Sequence, residues 1–338
     1  MIDLRSDTVT RPTKEMLEAM FSAKLGDDVF GEDPTINALE EKCANLFSKE
    51  AGVFCPSGTM TNQIAINIHT EPGDELLCDV NSHIYNFEGG GISRNSGVQA
   101  KLIQGDRGRI SAQQVKENMN PTFDWLTRTS LVSVENTANR SGGSFYTLNT
   151  MQEIATVCKE NKLKFHLDGA RIFNALVETK ETPSQIGKCV DSISVCLSKG
   201  LGAPVGSVLL GDKEFIRKAR RVRKVFGGGM RQAGILAAAG IYALDNNVER
   251  LKDDHKRAKI LGETLKKLFF VEHILPVETN IVIFTLSEKM PSELFVKKLA
   301  SENIKVSAFG KQTIRLVTHL DFTDEMLDKT ISVLNKMN

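Results

Sequence analysis

The sequence predicts an α/β fold: a large, mostly parallel sheet with helices on both faces, followed by a smaller C-terminal α+β unit. Three observations carry this. Between residues 50 and 211 short apolar runs alternate with helix-like stretches, as parallel strands joined by crossover helices do. The 338 residues exceed one ordinary domain. From residue 280 onward the alternation gives way to a strand, a helix, two strands and a helix.

Taken in order, the expected strands are AGVFC (51–55), ELLCD (75–79), 101–104, SLVSV (130–134), LKFHLD (163–168), 190–197 and VGSVLL (205–210). Stretches such as TMTNQIAINIHT and TLNTMQEIATVCKENK supply helices between them. Residues 231–269 read as helix. The C-terminal unit then contains NIVIFTL (280–286), the helix PSELFVKKLASEN, the strands IKVSAF and TIRLVTH, and a last helix capped by Thr323. The boundary falls inside a helix, giving a large domain over 1–250 and a small one over 251–338. No internal repeat or low-complexity segment interrupts the chain.

Composition narrows the function. Hydrophobic content is 41%, charged content 25% and net charge +1, so no overall field recruits nucleic acid or an anionic membrane. The basic run RKARRVRK (217–224) is expected to be the solvated face of a helix. The six cysteines form no C-x-x-C pair and several lie in apolar runs, which fits reduced core residues of a cytoplasmic protein. The opening MIDLRSDTVTR has no apolar signal core. The apolar stretch AGILAAAGIYAL (233–244) is too short to span a bilayer. Asn139-Arg140-Ser141 matches a glycosylation sequon and reads as a chance match.

Four stretches carry candidate chemistry. In SVCLSKGLGAPVG (194–206), Lys199 stands between a strand and a glycine-rich turn. A lysine held against a core tends to lose its proton and become a nucleophile for an aldehyde; alone, the plainer reading is an exposed turn lysine. In FHLDGARIFNA (165–175), Asp168 ends a strand, where α/β sites collect, and would suit a protonated pyridine nitrogen or, more plainly, a helix cap; Arg171 suits a carboxylate. In CPSGTMTNQIAI (55–66), the turn into a helix offers free N–H groups to a phosphate. In NSHIYNFEGGG (81–91), His83 could stack on an aromatic cofactor, move protons, or simply cap and pack. The glycines of KVFGGGMRQ (224–232) allow close backbone approach. Neither a Walker lysine motif, a G-x-S-x-G elbow nor His/Cys metal spacing occurs, so no metal is expected.

In order and combination these stretches, with MIDLRSDTVTRPT, GDDVFGEDPT, GGGMRQAGILAAAGIYAL and IRLVTH, resemble the low-specificity L-threonine aldolase family from the first residue to about 320. The resemblance implies a seven-stranded, mostly parallel α/β domain of the type shared by pyridoxal-phosphate (PLP) transferases. The N-terminal segment would contribute to the site and to the small domain. It implies PLP as cofactor, attached through Lys199, with Asp168 on the pyridine nitrogen, His83 on the ring face, and Gly58 and Thr59 at the phosphate. Arg231 would reach a phosphate region, that of a neighbouring subunit of a homotetramer. Ser6, Arg171 and Arg315 would bind the substrate carboxylate, and Glu88 and Lys224 would line the site. The substrate would be a small β-hydroxy-α-amino acid. The alternatives are a β-eliminating lyase, racemase or transaminase on the same cofactor, or a non-catalytic PLP-binding protein. One departure stands out: the family commonly reads ENTHN where this chain reads ENTAN, with Ala138 in place of a histidine near the substrate hydroxyl. The expectation is an altered preference between threonine and allo-threonine, or a weaker rate, with His83 or a water as base.

Overall fold

The computed structural model describes residues 1–337. Its strands are β1 (Ile2–Asp3), β2 (Ala51–Cys55), β3 (Glu75–Asp79), β4 (Gln99–Ile103), β5 (Thr129–Glu135), β6 (Lys164–Gly169), β7 (Ser192–Cys196), β8 (Ser207–Gly211), β9 (Val271–Ile274), β10 (Ile281–Leu286), β11 (Ile304–Lys305), β12 (Ser307–Ala308) and β13 (Thr313–Val317). Seven form the large sheet, in the order β2-β8-β7-β6-β5-β3-β4.

Strands β7, β6, β5, β3 and β4 run parallel. Strand β8 departs from the parallel pattern and lies antiparallel to both β7 and β2. The reason is the connection 197–206, which has no crossover helix and brings the chain straight back. The ladder pairs Cys55 and Cys196 with Ser207. The carboxyl ends of β2, β7, β6 and β5 and the start of β8 therefore share one edge, and that edge carries the candidate site.

Every strand of the large sheet except edge strand β4 is mostly or fully buried, which explains the near-continuous apolar runs. A second sheet, β12-β13-β10-β9, is antiparallel throughout. Strand β1 pairs with β11, Ile2 opposite Ile304, so the first residues are stitched to the C-terminal unit. Ile2 and Leu4 share its core with Phe284, Phe295 and Leu316. The helix Leu251–Leu265 places Leu251 in the core of the large sheet and Ala258, Leu261 and Leu265 in the other. We propose that the two units meet in this helix. Thr323 caps the last helix, accepting from the Met326 N–H at 3.3 Å.

The basic run 217–224 corrects one expectation. In the helix Lys213–Val225, Arg217 pairs with the exposed Glu214, as a solvated face would. Arg220 instead pairs with the buried Glu40. Arg223 is 4% exposed, donates to the Phe54 carbonyl at 2.6 Å and pairs with Asp28 at 2.8 Å. Arg220 and Arg223, three apart, share one helix face, and that face lies on β2.

Candidate active site

The helix Gly58–His69 begins where β2 ends. Ser57 caps it, accepting from the Met60 N–H at 3.2 Å, and the Thr61 N–H reaches the Ser57 carbonyl. The N–H groups of Gly58 and Thr59 have no described partner, as the first turn of a helix requires. Ser207 is buried beside this turn; its hydroxyl lacks a hydrogen-bond partner among the described residues, and a Cβ at Gly58 would lie 3.5 Å from it.

The same helix turns Asn62 and Gln63 toward the carboxyl end of β6. The Asn62 Nδ2 donates to both Asp168 Oδ2 and Glu88 Oε1, each at 2.9 Å, and Gln63 donates to Glu88 at 2.6 Å. Asp168 accepts from the Ala170 N–H at 3.0 Å, but it does not cap the next helix, Ile172–Thr179, whose cap position is Arg171. With the Asn62 amide so oriented, its oxygen faces His166 Nε2 at 3.1 Å. Burial pushes the His166 and His69 imidazoles down to about 3, so both are neutral at physiological pH. One proton order then satisfies every contact. His69 Nε2–H donates to Ser192 Oγ at 2.8 Å, Ser192 donates to His166 Nδ1 at 2.8 Å, and His166 Nε2–H donates to Asn62. A directed chain of buried donors thus ends on the two carboxylates.

His83 opens a short helix after β3, and its Nδ1 lies 3.0 Å from Glu88 Oε1. Burial opposes its charged form, but the Glu88 hydrogen bond, Asp168 and Glu135 outweigh it and raise its pKa. Glu135, at the end of β5, accepts the His83 N–H at 2.9 Å and the Asn139 N–H at 3.0 Å. Burial, then Asp168, pushes its carboxyl up to about 7. His83, Glu88 and Asp168 each offer a donor atom within 4.8 Å of the others. That spacing would admit a cation, but Asn62 already bridges the two carboxylates.

On the opposite side, Arg171 holds Asp7 with two hydrogen bonds of 2.7 Å, both residues buried. Asp7 resists its own burial because the guanidinium holds its carboxyl down at about 2. Arg315, on β13, has no carboxylate partner among the described residues. It donates to Asn139 Oδ1 at 2.8 Å and to the Arg5 carbonyl at 3.0 Å. Burial, then Arg171, lowers its pKa to about 10, so it stays charged at physiological pH. Ser6 caps the turn Asp7–Val9, and Thr10 holds the Lys199 carbonyl at 3.1 Å. Lys199 is half-buried, and its ammonium is one of the charges that hold Asp7 down.

The tertiary structure therefore brings Gly58, Thr59, His83, Glu88, Asp168, Arg171, Lys199, Ser6 and Arg315 to one edge of the sheet and its facing segments. It does not bring Lys224 or Arg231 there. Lys224 is exposed on a cavity of about 300 Å³ with Asp28, Phe30 and Gly229. Arg231 pairs with Asp27 at 2.9 Å. The glycine run between them does allow a close approach: a Cβ at Gly228 would lie 2.2 Å from the Met60 sulfur. Ala138 is buried, and its methyl lies 2.8 Å from where a Cβ at Gly108 would stand. Its side chain therefore faces that turn.

Sequence reasoning missed Asp7, Asn62, Gln63, Glu135, Asn139, His166 and Ser192. Asn62-Gln63 on an otherwise apolar helix and Glu135 at the end of an apolar strand were the available signals.

The fold and this site define a member of the β-eliminating lyase family, whose sequence model matches residues 3–289. The chain is 43% identical to the low-specificity L-threonine aldolase of Escherichia coli K12, covering 97% of this chain and 96% of that protein. It is 40% identical to low-specificity L-threonine aldolase 1 of Arabidopsis thaliana, covering 98% and 94%. Among solved structures, Leishmania major threonine aldolase superposes with a TM-score of 0.87 at 20% identity over 100% of this chain and 99% of that one, which shows the shared fold. The chain belongs to the low-specificity L-threonine aldolase family. No helix among the described residues is long and apolar enough to cross a membrane.

Proposed function

We propose that the chain is a PLP-dependent aldolase that cleaves L-threonine, L-allo-threonine and other β-hydroxy-α-amino acids between Cα and Cβ. The products are glycine and an aldehyde, acetaldehyde in the case of threonine. The observation that supports this most is a buried carboxylate, Asp168, held by Asn62 at the strand end, with a lysine on the adjoining turn and an arginine without a carboxylate partner facing them.

The residues fit the cofactor. Ser207 Oγ and the N–H groups of Gly58 and Thr59 lack partners where a phosphate would sit. Asp168 would pair with the pyridine nitrogen, His83 would face the ring, and Lys199 offers the amine for attachment. Bound there, PLP supplies an electron sink for the pair left on Cα when a bond breaks.

Arg315 binds the substrate carboxylate with the charge that no protein carboxylate meets, and Asn139 orients it. Fixing that carboxylate fixes which bond at Cα is presented for cleavage. Arg171 carries less of this load, since Asp7 already neutralises it. The β-hydroxyl proton goes to His83 Nε2, which has no described partner while Nδ1 faces Glu88, or to a water beside it. Ser6 lies on the segment that seals the substrate side.

The same reading includes a cytoplasmic homotetramer, with Arg231 of one copy reaching a neighbour's phosphate region. Its support is that Arg231 is exposed on its own chain, over an exposed Phe30 and close in sequence to an exposed Val225.

Purified protein with PLP, offered L-threonine and L-allo-threonine separately, tests the reading. Glycine and acetaldehyde are expected from at least one, and Lys199→Ala is expected to abolish both. Ammonia and a keto acid, or racemised amino acid, would overturn it in favour of elimination or racemisation.

A further inference from the structure

Arg140 is the one charged side chain in the loop 136–141, and the aldolase reading gives it no task. Its guanidinium carbon lies 5.4 Å from the centre of the Phe87 ring and 4.9 Å from that of Phe309. Phe87 is the neighbour of His83, ring centres 5.6 Å apart. Phe309 also carries Arg315, whose guanidinium carbon lies 4.6 Å from its centre. Arg140 thus sits between the histidine wall and the carboxylate-binding arginine. Two guanidinium groups share one phenyl ring, and no hydrogen bond or ion pair joins Arg140 to any described residue. In its neighbour in sequence, Asn139, the side-chain oxygen accepts from Arg315 and Arg171 and the backbone N–H donates to Glu135.

Like charges this close are costly unless an anion joins them. The α-carboxylate of a substrate answers Arg315. It leaves Arg140 without a counterion. The rings fix the guanidinium at little further entropic cost, since cation–π contacts hold it while leaving its N–H groups free to donate.

We propose that Arg140 forms a second anion subsite at the mouth of the site, and that the chain accepts β-hydroxy-α-amino acids whose β-substituent ends in a carboxylate. This rests on the aldolase reading above. The smallest such substrate is 3-hydroxyaspartate. The Cα–Cβ bond breaks, the hydroxyl proton leaves to His83, and Cβ departs as the aldehyde carbon of glyoxylate. The electron pair stays on Cα, and a proton returns there to give glycine. No oxidant, reductant or co-reactant is needed.

The test compares kcat/KM for L-3-hydroxyaspartate, in both its threo and erythro forms, with that for L-threonine and L-allo-threonine. It uses wild type, Arg140→Leu and Arg140→Lys. The Arg140 side chain makes no hydrogen bond among the described residues, so both variants are expected to fold, checked by circular dichroism. Arg140→Leu should lower kcat/KM for one or both hydroxyaspartates by roughly 10- to 100-fold, the range for a charge-assisted contact, and leave the better threonine isomer nearly unchanged. Arg140→Lys should recover part of the loss. Malonate should inhibit wild type more strongly than acetate, and that difference should vanish in Arg140→Leu. An equal loss on both substrate types would overturn the proposal, as for a guanidinium that serves a second copy of the chain instead. So would threonine cleavage without any hydroxyaspartate cleavage. If neither type is cleaved by wild type, the aldolase reading itself falls.

Discussion

The side of the site around Asp168 and the side around Arg315 treat buried polar groups differently. Behind Asp168, the side chains of Asn62, Gln63, Glu88, His166 and Ser192 all have partners, in a chain whose proton order is fixed by neutral imidazoles. Around Arg315, buried groups stand open: Asn280 Oδ1 and Arg315 Nε have no described hydrogen-bond partner. An unmet buried donor or acceptor costs about 1–3 kcal/mol. The donor chain behind Asp168 is finished by folding and holds a fixed group. The Arg315 side keeps its capacity for a ligand that changes from turnover to turnover.

The sharpest way to break this comparison is a substitution on each side. Asn62→Leu would take one donor from each of the two carboxylates, leaving them Ala170, Gln63 and His83, and would leave the His166 N–H without its partner. It should cost about 3 kcal/mol of stability and weaken PLP retention, read from urea unfolding of the apoprotein and from cofactor dissociation. Unchanged stability would show that the chain of donors is incidental. Arg315→Met should do the reverse: kcat/KM falls roughly 100-fold while Tm changes little, because a poorly matched buried cation is removed. A large loss of Tm would move Arg315 to the structural side.

The smallest effect concerns the pair that joins the two sides. Because Arg171 holds the Asp7 carboxyl at about 2, below its unfolded value, the folded protein binds fewer protons in acid. The stabilisation, about 2 kcal/mol, is complete above about pH 4 and is lost as the pH falls toward about 2. Urea unfolding across this range should show that slope in wild type and a flatter one in Asp7→Asn.

Much of this was legible in sequence. Strands β2 to β8 were located within a residue or two, because strands buried on both faces read as continuous apolar runs. Lys199, Asp168, His83 and Gly58 lie at strand ends or the turns beyond them, where glycine and polar residues interrupt those runs. The antiparallel turn of β8, the pairing of β1 with β11 and the short strand β9 were not legible. Two-residue strands and an exposed β9 carry no apolar periodicity.

The sequence by itself determined the α/β class, the family and the order of the principal reactive residues along the chain, because these depend on local pattern and short-range spacing. Only the tertiary structure decided which of them are already spent. Arg171 and Arg315 look alike in sequence, yet Asp7 neutralises one and leaves the other charged and open. Asn62 and His166 look like ordinary polar residues until the helix Gly58–His69 is laid on β6. Charge pairing and burial are properties of contacts between segments more than a hundred residues apart, and no local pattern encodes them.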